Sequence, residues 1–406
     1  MYTLGIYLYI FLVRLAALFG HSKAKLKLAG HKRTLAVLEE KLKPGESYVW
    51  FHVASRAGFE QSRPMIERLR MTHPEYRVVL TFFSPSGYEV AKNYQQADVI
   101  CYLPFDTRCN IRDFLDLLQP KMVFFVKCEF WLNFLTALKE RSVPVYSISA
   151  VFSNKRSKFS VLGARLRLAL HCFTHIFVQD EKSKEMLKTI GVHNVSVVGN
   201  TRFDRVVRIL EQAHQLPLLE AFSEGNKVFV AGASEKDDEA VFIPYFNRNR
   251  DWKLIVVPNK FDDERIKAIE KQYAGTCVRY TRATMENIRN ADCVIIDCFG
   301  LLSIVYKYGD IAFVGGSYGK GVHNVLDAAV YGVPVLIGPE NKRSCEARSL
   351  IACGGIVEAS DAYDFGEKIK TLAGDADYSA RTGVAAGNYV KRNAGATKRI
   401  FNEILN

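Results

Sequence analysis

Hydrophobic residues along this chain gather into short continuous runs separated by longer stretches of helical periodicity, and the alternation occurs twice. YVWFHVAS (48–55), RVVLTFFS (77–84), DVICYLP (98–104), MVFFVKCEF (122–130), PVYSISAVF (144–152) and THIFVQD (174–180) are apolar nearly throughout, not at every second residue. Strands buried on both faces require that pattern, whereas half-exposed strands would alternate. Helical segments such as CNIRDFLDLLQ (109–119) and WLNFLTALKER (131–141) stand between them. Strands alternating with helices predict a parallel sheet covered by helices. A second set follows: KVFVAGAS (227–234), WKLIVVP (252–258), CVRYT (277–281), CVIIDC (293–298), IAFVGG (311–316) and PVLIG (334–338). The expected fold class is therefore α/β, with domains at 21–207 and 226–406 joined by a polar hinge over 208–225. In such sheets ligands bind beyond the carboxyl ends of the strands, which makes those ends the place to look for chemistry.

The first twenty residues break the pattern. Tyr2 to Phe19 are apolar all round except Arg14, and Lys23, Lys25, Lys27, Lys32 and Arg33 follow. A secretory signal would carry its charge before the apolar run and a small-residue cleavage site after it. Eighteen helical residues span about 27 Å, enough for a thin hydrocarbon core. The expectation is a single N-terminal membrane anchor over 1–20, with the basic cluster holding the rest of the chain on the cytoplasmic side. A buried or interfacial helix is the alternative.

Composition narrows the partners. A net charge of +12 over 406 residues suggests a polyanion: nucleic acid, anionic lipid or a phosphorylated substrate. The nine cysteines are scattered, with no CxxC pair and no zinc-type spacing, so reduced thiols and no structural metal are expected.

FVGGSYGKGVHNVLDAA (313–329) carries the densest signal. A strand ends at Val314, glycines follow at 315, 316, 319 and 321, and a helix is expected to open near His323 or Asn324. Glycines let backbone approach a ligand, and a helix N-terminus favours phosphate, so Gly315, Gly316, Gly319 and Gly321 are a candidate phosphate loop. Asp327, one turn on, could accept ribose hydroxyl protons. A tight turn that needs glycine explains the same residues equally well.

This segment, continued through PVLIGP, resembles the nucleotide-binding motif of 3-deoxy-D-manno-octulosonic acid (Kdo) transferases, the Bacteroides-type branch in particular. HVASRAGFEQSRP (52–64), TFFSPSGYEVAKNY (81–94), FVKCEFWLN (125–133), VQDEKS (178–183), GNTRFDRV (199–206) and DCFGLLSIVYKYGDIAFVGG (297–316) match the same family in order, and the apolar N-terminus belongs to the pattern. The resemblance implies a GT-B fold of two Rossmann-like domains facing a cleft. It also implies an inverting, metal-independent glycosyltransferase without a cofactor. Kdo would move from CMP-Kdo to a lipid A precursor in lipopolysaccharide biosynthesis, at the cytoplasmic face of the inner membrane. CMP-Kdo, the lipid A precursor and an anionic membrane surface are the implied partners, and nucleic acid is not. By the same resemblance Asn259, Lys260, Phe299, Gly300, Leu301, Asn324, Val325, Leu326 and Asp327 would bind CMP. Arg202, Lys127 and Glu129 would sit among the catalytic groups, with Arg202 at a basic position that stabilises the transition state.

The departures bear on activity. Gly58 stands where the family carries the glutamate that removes the acceptor hydroxyl proton, and glycine cannot accept a proton. Glu60 lies two residues along, ~200° round a helix, and so faces away. Lys127 replaces an acidic residue of distant relatives, and Asp327 is one methylene shorter than the usual glutamate. Asn259, Ala233, Glu235, Arg56, Ala57, Cys128 and Cys345 also differ from the pattern. The alternative function is a catalytically silent family member that binds CMP-sugar or lipid at the membrane.

Overall fold

The structure, a computed structural model, describes residues 2–152 and 163–405. The chain divides into two compact units, Met1–Arg205 with Gly395–Asn406, and Val206–Ala394. Each unit is built on one seven-stranded sheet in which every recorded strand pairing is parallel.

In the first unit the strands are β1 (Ser47–Val53), β2 (Tyr76–Phe82), β3 (Val99–Tyr102), β4 (Met122–Val126), β5 (Val145–Ala150), β6 (His175–Val178) and β7 (Val195–Val197), in the order 3-2-1-4-5-6-7. The continuous apolar runs have the predicted cause, because successive residues serve opposite faces. Trp50, Val123 and Phe125 pack in one cluster, while Phe51, Phe124 and Val126 pack in another on the far side. Each such side chain contributes ~1.5–3 kcal/mol on burial. In the second unit β8 (Lys227–Ser234), β9 (Trp252–Pro258), β10 (Cys277–Arg279), β11 (Cys293–Ile295), β12 (Ile311–Val314), β13 (Val335–Ile337) and β14 (Ile356–Glu358) run in the order 10-11-9-8-12-13-14. Two strands escape the hydrophobicity pattern, β7 and β14. Both are three-residue edge strands, too short for a periodicity to register.

Both sheets reverse their winding beside their first strand, between β1 and β4 and between β8 and β12. A crevice opens at the carboxyl ends there, because the loops leave in opposite directions.

Two expectations need correction. The helix α1 (Tyr2–Leu18) has 17 residues, about 25 Å, and is followed by α2 (Ser22–Lys41). Among the described residues no helix is long and apolar enough to cross a membrane. Instead α1 is fastened to the first unit: Tyr2 Oη donates to Asp106 Oδ2 at 2.6 Å, Ile10 and Ala17 are buried, and Tyr9 pairs with Lys27. Leu4, Leu8, Phe11, Leu12, Leu15, Leu18 and Phe19 remain exposed. The second correction concerns the C-terminus. The helix Ala396–Ile404 belongs to the first unit, although the sequence boundary assigns it to the second. Asp204 accepts from the N–H groups of Gly395 and Thr397, Arg399 donates to the Val198 carbonyl at 2.6 Å, and Ile400 and Phe401 enter the first core. An amphipathic helix declares that it needs a core, not which one. The expected hinge is largely helical, with Thr201–Gln212 followed by Pro217–Ser223.

Candidate functional site

The crevice of the first sheet is bounded by the chain leaving β1 and the chain leaving β4. These strands are paired in register, Phe51 with Phe124 and His52 with Phe125, so the turns toward Gly58 and toward Glu129 begin side by side. After β1 the chain enters α3 (Arg56–Thr72), capped by Ser55, whose Oγ accepts from the Gly58 N–H at 3.4 Å. Gly58 is buried, and a Cβ there would meet Val53 Cβ at 3.5 Å and Ser55 Oγ at 3.8 Å, ordinary contacts. Glycine is thus not demanded by space or by a positive φ.

Glu60 is committed elsewhere. Its carboxylate lies 3.4 Å from Arg205 Nε and 3.6 Å from Arg63 Nη1. Those ion pairs agree with the helical geometry that turns it away from Gly58.

After β4 the chain turns sharply. Lys127 has φ +69°, a left-handed conformation that a side-chain-bearing residue rarely adopts without being held. Its N–H donates to the Ile148 carbonyl and its own carbonyl accepts from Ser147 Oγ. Glu129 follows, and burial pushes its carboxyl up to about 7 against the opposing pull of Trp131 and Lys127. Trp131 packs on Phe83, with ring centroids 4.4 Å apart. His52, fully buried, bonds Thr81 Oγ1 through Nδ1 at 2.9 Å, and its Nε2 has no partner. Arg202 opens the helix Thr201–Gln212, its N–H bonded to Asn200 Oδ1.

At the carboxyl ends of the second sheet the candidate nucleotide residues gather unevenly. Asn259 follows β9 and donates through Nδ2 to Glu235 Oε1 at 3.3 Å, and His323 Nε2 lies 3.2 Å from the same oxygen. Lys260 is exposed next to Asn259. Phe299 is 88% exposed, set edge-on against Phe261 at 4.3 Å, and Gly300 beside it has φ +93°. Leu301 caps the one-turn helix Leu302–Val305. Val325 and Leu326 are core side chains, so only their backbone could meet a ligand. Asp327 is half-buried near Tyr331, whose phenol is pushed up to about 12 by burial first and by the Asp327 charge second.

The glycine loop is not an open phosphate cradle. The Gly315 N–H donates to the Gly232 carbonyl, and those of Gly319 and Gly321 to the Gly316 carbonyl. The Gly316 N–H donates to Asp238 Oδ2 at 2.7 Å, and the Tyr318 N–H to Asp238 Oδ1 at 3.1 Å. A carboxylate of the protein therefore holds the loop. Glycine is needed there for space: a Cβ on Gly315 would lie 2.3 Å from the Ala233 carbonyl. The expected helix is the single turn Leu326–Ala329, beginning later than His323. Asp238 escaped the sequence reading, although its place at N3 of a capping box after β8 signals a structural acid. Among the described residues no three of His, Cys, Asp or Glu gather closely enough to hold a metal ion.

The protein-family model for 3-Deoxy-D-manno-octulosonic-acid transferase (kdotransferase) matches residues 23–205. The 3-deoxy-D-manno-octulosonic acid transferase of Haemophilus influenzae is 24% identical over 88% of this chain and 86% of its own length. The N-terminal part of the chain thus matches the Kdo transferase family, and most of its length is similar to curated Kdo transferases. The Kdo transferase of Chlamydia trachomatis serovar A is 29% identical, over 72% of this chain and 70% of that one. A bifunctional glycosyltransferase/methyltransferase of Fusobacterium nucleatum is 26% identical over 72% of this chain, and the match spans about half of that longer relative, 47%. Among solved structures, UDP-GlcNAc 2-epimerase from Neisseria meningitidis covers 88% of this chain with a TM-score of 0.62 at 17% identity, a likeness of fold. This relative of Kdo transferases is thus a glycosyltransferase built from two Rossmann-like units.

Proposed function

We propose that this protein transfers Kdo from CMP-Kdo to a lipid A precursor, with inversion and without a metal, and that Glu129 serves as general base in place of the residue missing at Gly58. The observation that carries the transfer reading is the kinship with Kdo transferases over 88% of the chain. The pairing of β1 with β4 supports the role of Glu129, since it sets the two turns next to one another. In this reading the Glu129 carboxylate takes the proton of the acceptor hydroxyl as that oxygen attacks the anomeric carbon, while the bond to the CMP phosphate breaks and CMP departs. Arg202 and Lys127 offset the charge that develops on the departing phosphate.

Asn259, Lys260, Phe299, Gly300, Leu301 and the backbone of Asn324 to Asp327 are proposed to hold CMP, Phe299 by contact with the base and Asp327 through ribose hydroxyls. The membrane role passes to the exposed face of α1. Leu4, Leu8, Phe11, Leu15 and Leu18 recur at helical spacing beside exposed Lys23, Lys25, Lys32 and Arg33. Such a face lies in the headgroup region of an anionic bilayer, here the inner leaflet of the inner membrane.

Gly58 favours a second reading, a silent family member that binds donor or lipid without transfer. A transfer assay with CMP-Kdo and lipid A precursor decides between the two. Product formed by wild type and lost in Glu129→Gln supports the enzyme. CMP binding without product supports the silent member.

A further inference from the structure

At the carboxyl edge of the first sheet, beside the crevice, the protein buries positive and polar groups that it leaves without an acidic partner. Lys27 and His31 stand one turn apart on α2, hence on the same face. They are 8% and 9% exposed. The Lys27 ammonium lies 3.1 Å from the centre of the Phe83 ring and donates to Tyr9 Oη at 2.6 Å. No carboxylate forms an ion pair with it among the described residues. His31 stacks on Phe105 at 4.1 Å, and neither ring nitrogen has a hydrogen-bond partner.

Burial alone lowers the Lys27 pKa to about 8. Burial, then the Lys27 charge, lowers that of His31 to about 3. Buried groups of this kind are costly unless something pairs with them. What the cluster lacks is an acceptor bearing negative charge. An anion with several oxygens could take hydrogen bonds from both Lys27 and His31, and its charge would favour protonation of each. A phosphate monoester meets that description.

The surroundings identify what carries the phosphate. Tyr9, 37% exposed, covers Lys27 from α1, and the exposed apolar face of α1 includes its neighbours Leu8 and Phe11. Phosphate beneath hydrocarbon is the layout of an amphiphile's headgroup. On the other side Trp131 bridges Phe83 to the Glu129 turn. We propose that Lys27 and His31 bind a phosphate monoester on the lipid acceptor, which directs the acceptor's sugar toward Glu129 and its acyl chains along α1. This rests on the lipid-acceptor reading given above.

The test uses the full chain and phosphatidylcholine vesicles doped either with phosphatidic acid, a monoester, or with the same fraction of phosphatidylglycerol, a diester. Wild type is expected to co-sediment with the monoester vesicles about tenfold more tightly, the worth of one charge-assisted hydrogen bond. Lys27→Met removes the preference. Lys121→Met, an equal loss of charge at an exposed residue outside the basic surface of α1 and α2, keeps it. His31→Phe retains the stack on Phe105 and reduces the preference, which covers the case of a misfolded Lys27 variant. Equal binding to both vesicle types, or a preference that survives Lys27→Met, overturns the proposal. Inorganic phosphate that raises the melting temperature of wild type but not of Lys27→Met, without any vesicle preference, assigns the site to free phosphate and overturns the lipid source. The readout needs neither CMP-Kdo nor turnover, so it fails or succeeds separately from the transfer reading.

Discussion

The Gly58 N–H points at Ser55 Oγ, 3.4 Å away, and the missing Cβ of Gly58 would rest in ordinary contact with that same oxygen. The first turn of α3 therefore has room for a Cβ at position 58. Gly58→Glu should fold with a melting temperature close to wild type and leave CMP affinity unchanged. If the site is otherwise competent, turnover should rise, up to the ~10²–10⁴-fold that a general base contributes. Calorimetry and turnover on one preparation check both halves.

Glu129 predicts a pH profile. A base must be ionised to accept a proton, so kcat should rise with pH through about 7, the value to which burial holds this carboxyl. Glu129→Gln should lose that limb along with most of the activity. Gly58→Glu combined with Glu129→Gln should recover rate, with the limb now set by the carboxyl at position 58 and no longer by that of Glu129. An unchanged limb in Glu129→Gln would remove this residue from the reaction.

Lys27 predicts a stability profile of defined sign. Its folded pKa of about 8 lies below its ordinary value of 10.5. Between those values the unfolded chain binds more protons than the folded one, so stability rises with pH across that window. The cost of burying the charge is fully present below the window and vanishes above it. Lys27→Met should raise the melting temperature at neutral pH and flatten its rise between pH 8 and 10, as differential scanning calorimetry can show.

Asp238 predicts a loop. Its two oxygens accept from the N–H groups of Gly316, Tyr318 and Glu235. Asp238→Asn replaces one acceptor by a donor facing an N–H, which should cost about 1–3 kcal/mol per amide left unpaired. Hydrogen exchange at Gly316 and Tyr318 should accelerate, and CMP affinity should fall as the 315–327 segment loosens.

The face of α1 predicts reversible membrane binding. Leu8→Ser with Phe11→Ser replaces two exposed side chains and should weaken co-sedimentation with anionic vesicles without lowering the melting temperature.

What the sequence determined by itself was whatever depends on neighbours along the chain. Apolar runs such as MVFFV name a doubly buried strand, because a strand between two helix layers has no wet face. Ordered motifs such as GNTRFD and VHNVLDAA carry the resemblance to Kdo transferases because each is a run of neighbours along the chain. The glycine at position 58 is a property of one residue and needs no coordinates to be read. Tertiary structure decided what depends on residues far apart. It fastened the expected anchor to the first unit by tying Tyr2 to Asp106, and returned the helix Ala396–Ile404 to the first core through Asp204. It filled the glycine loop with Asp238 from the helix that follows the neighbouring strand β8, and it set the Lys27 ammonium over the Phe83 ring. A hydrogen bond or a buried charge is fixed by distance in space. Linear sequence reports which groups exist and how they recur, and only folding determines which of them meet.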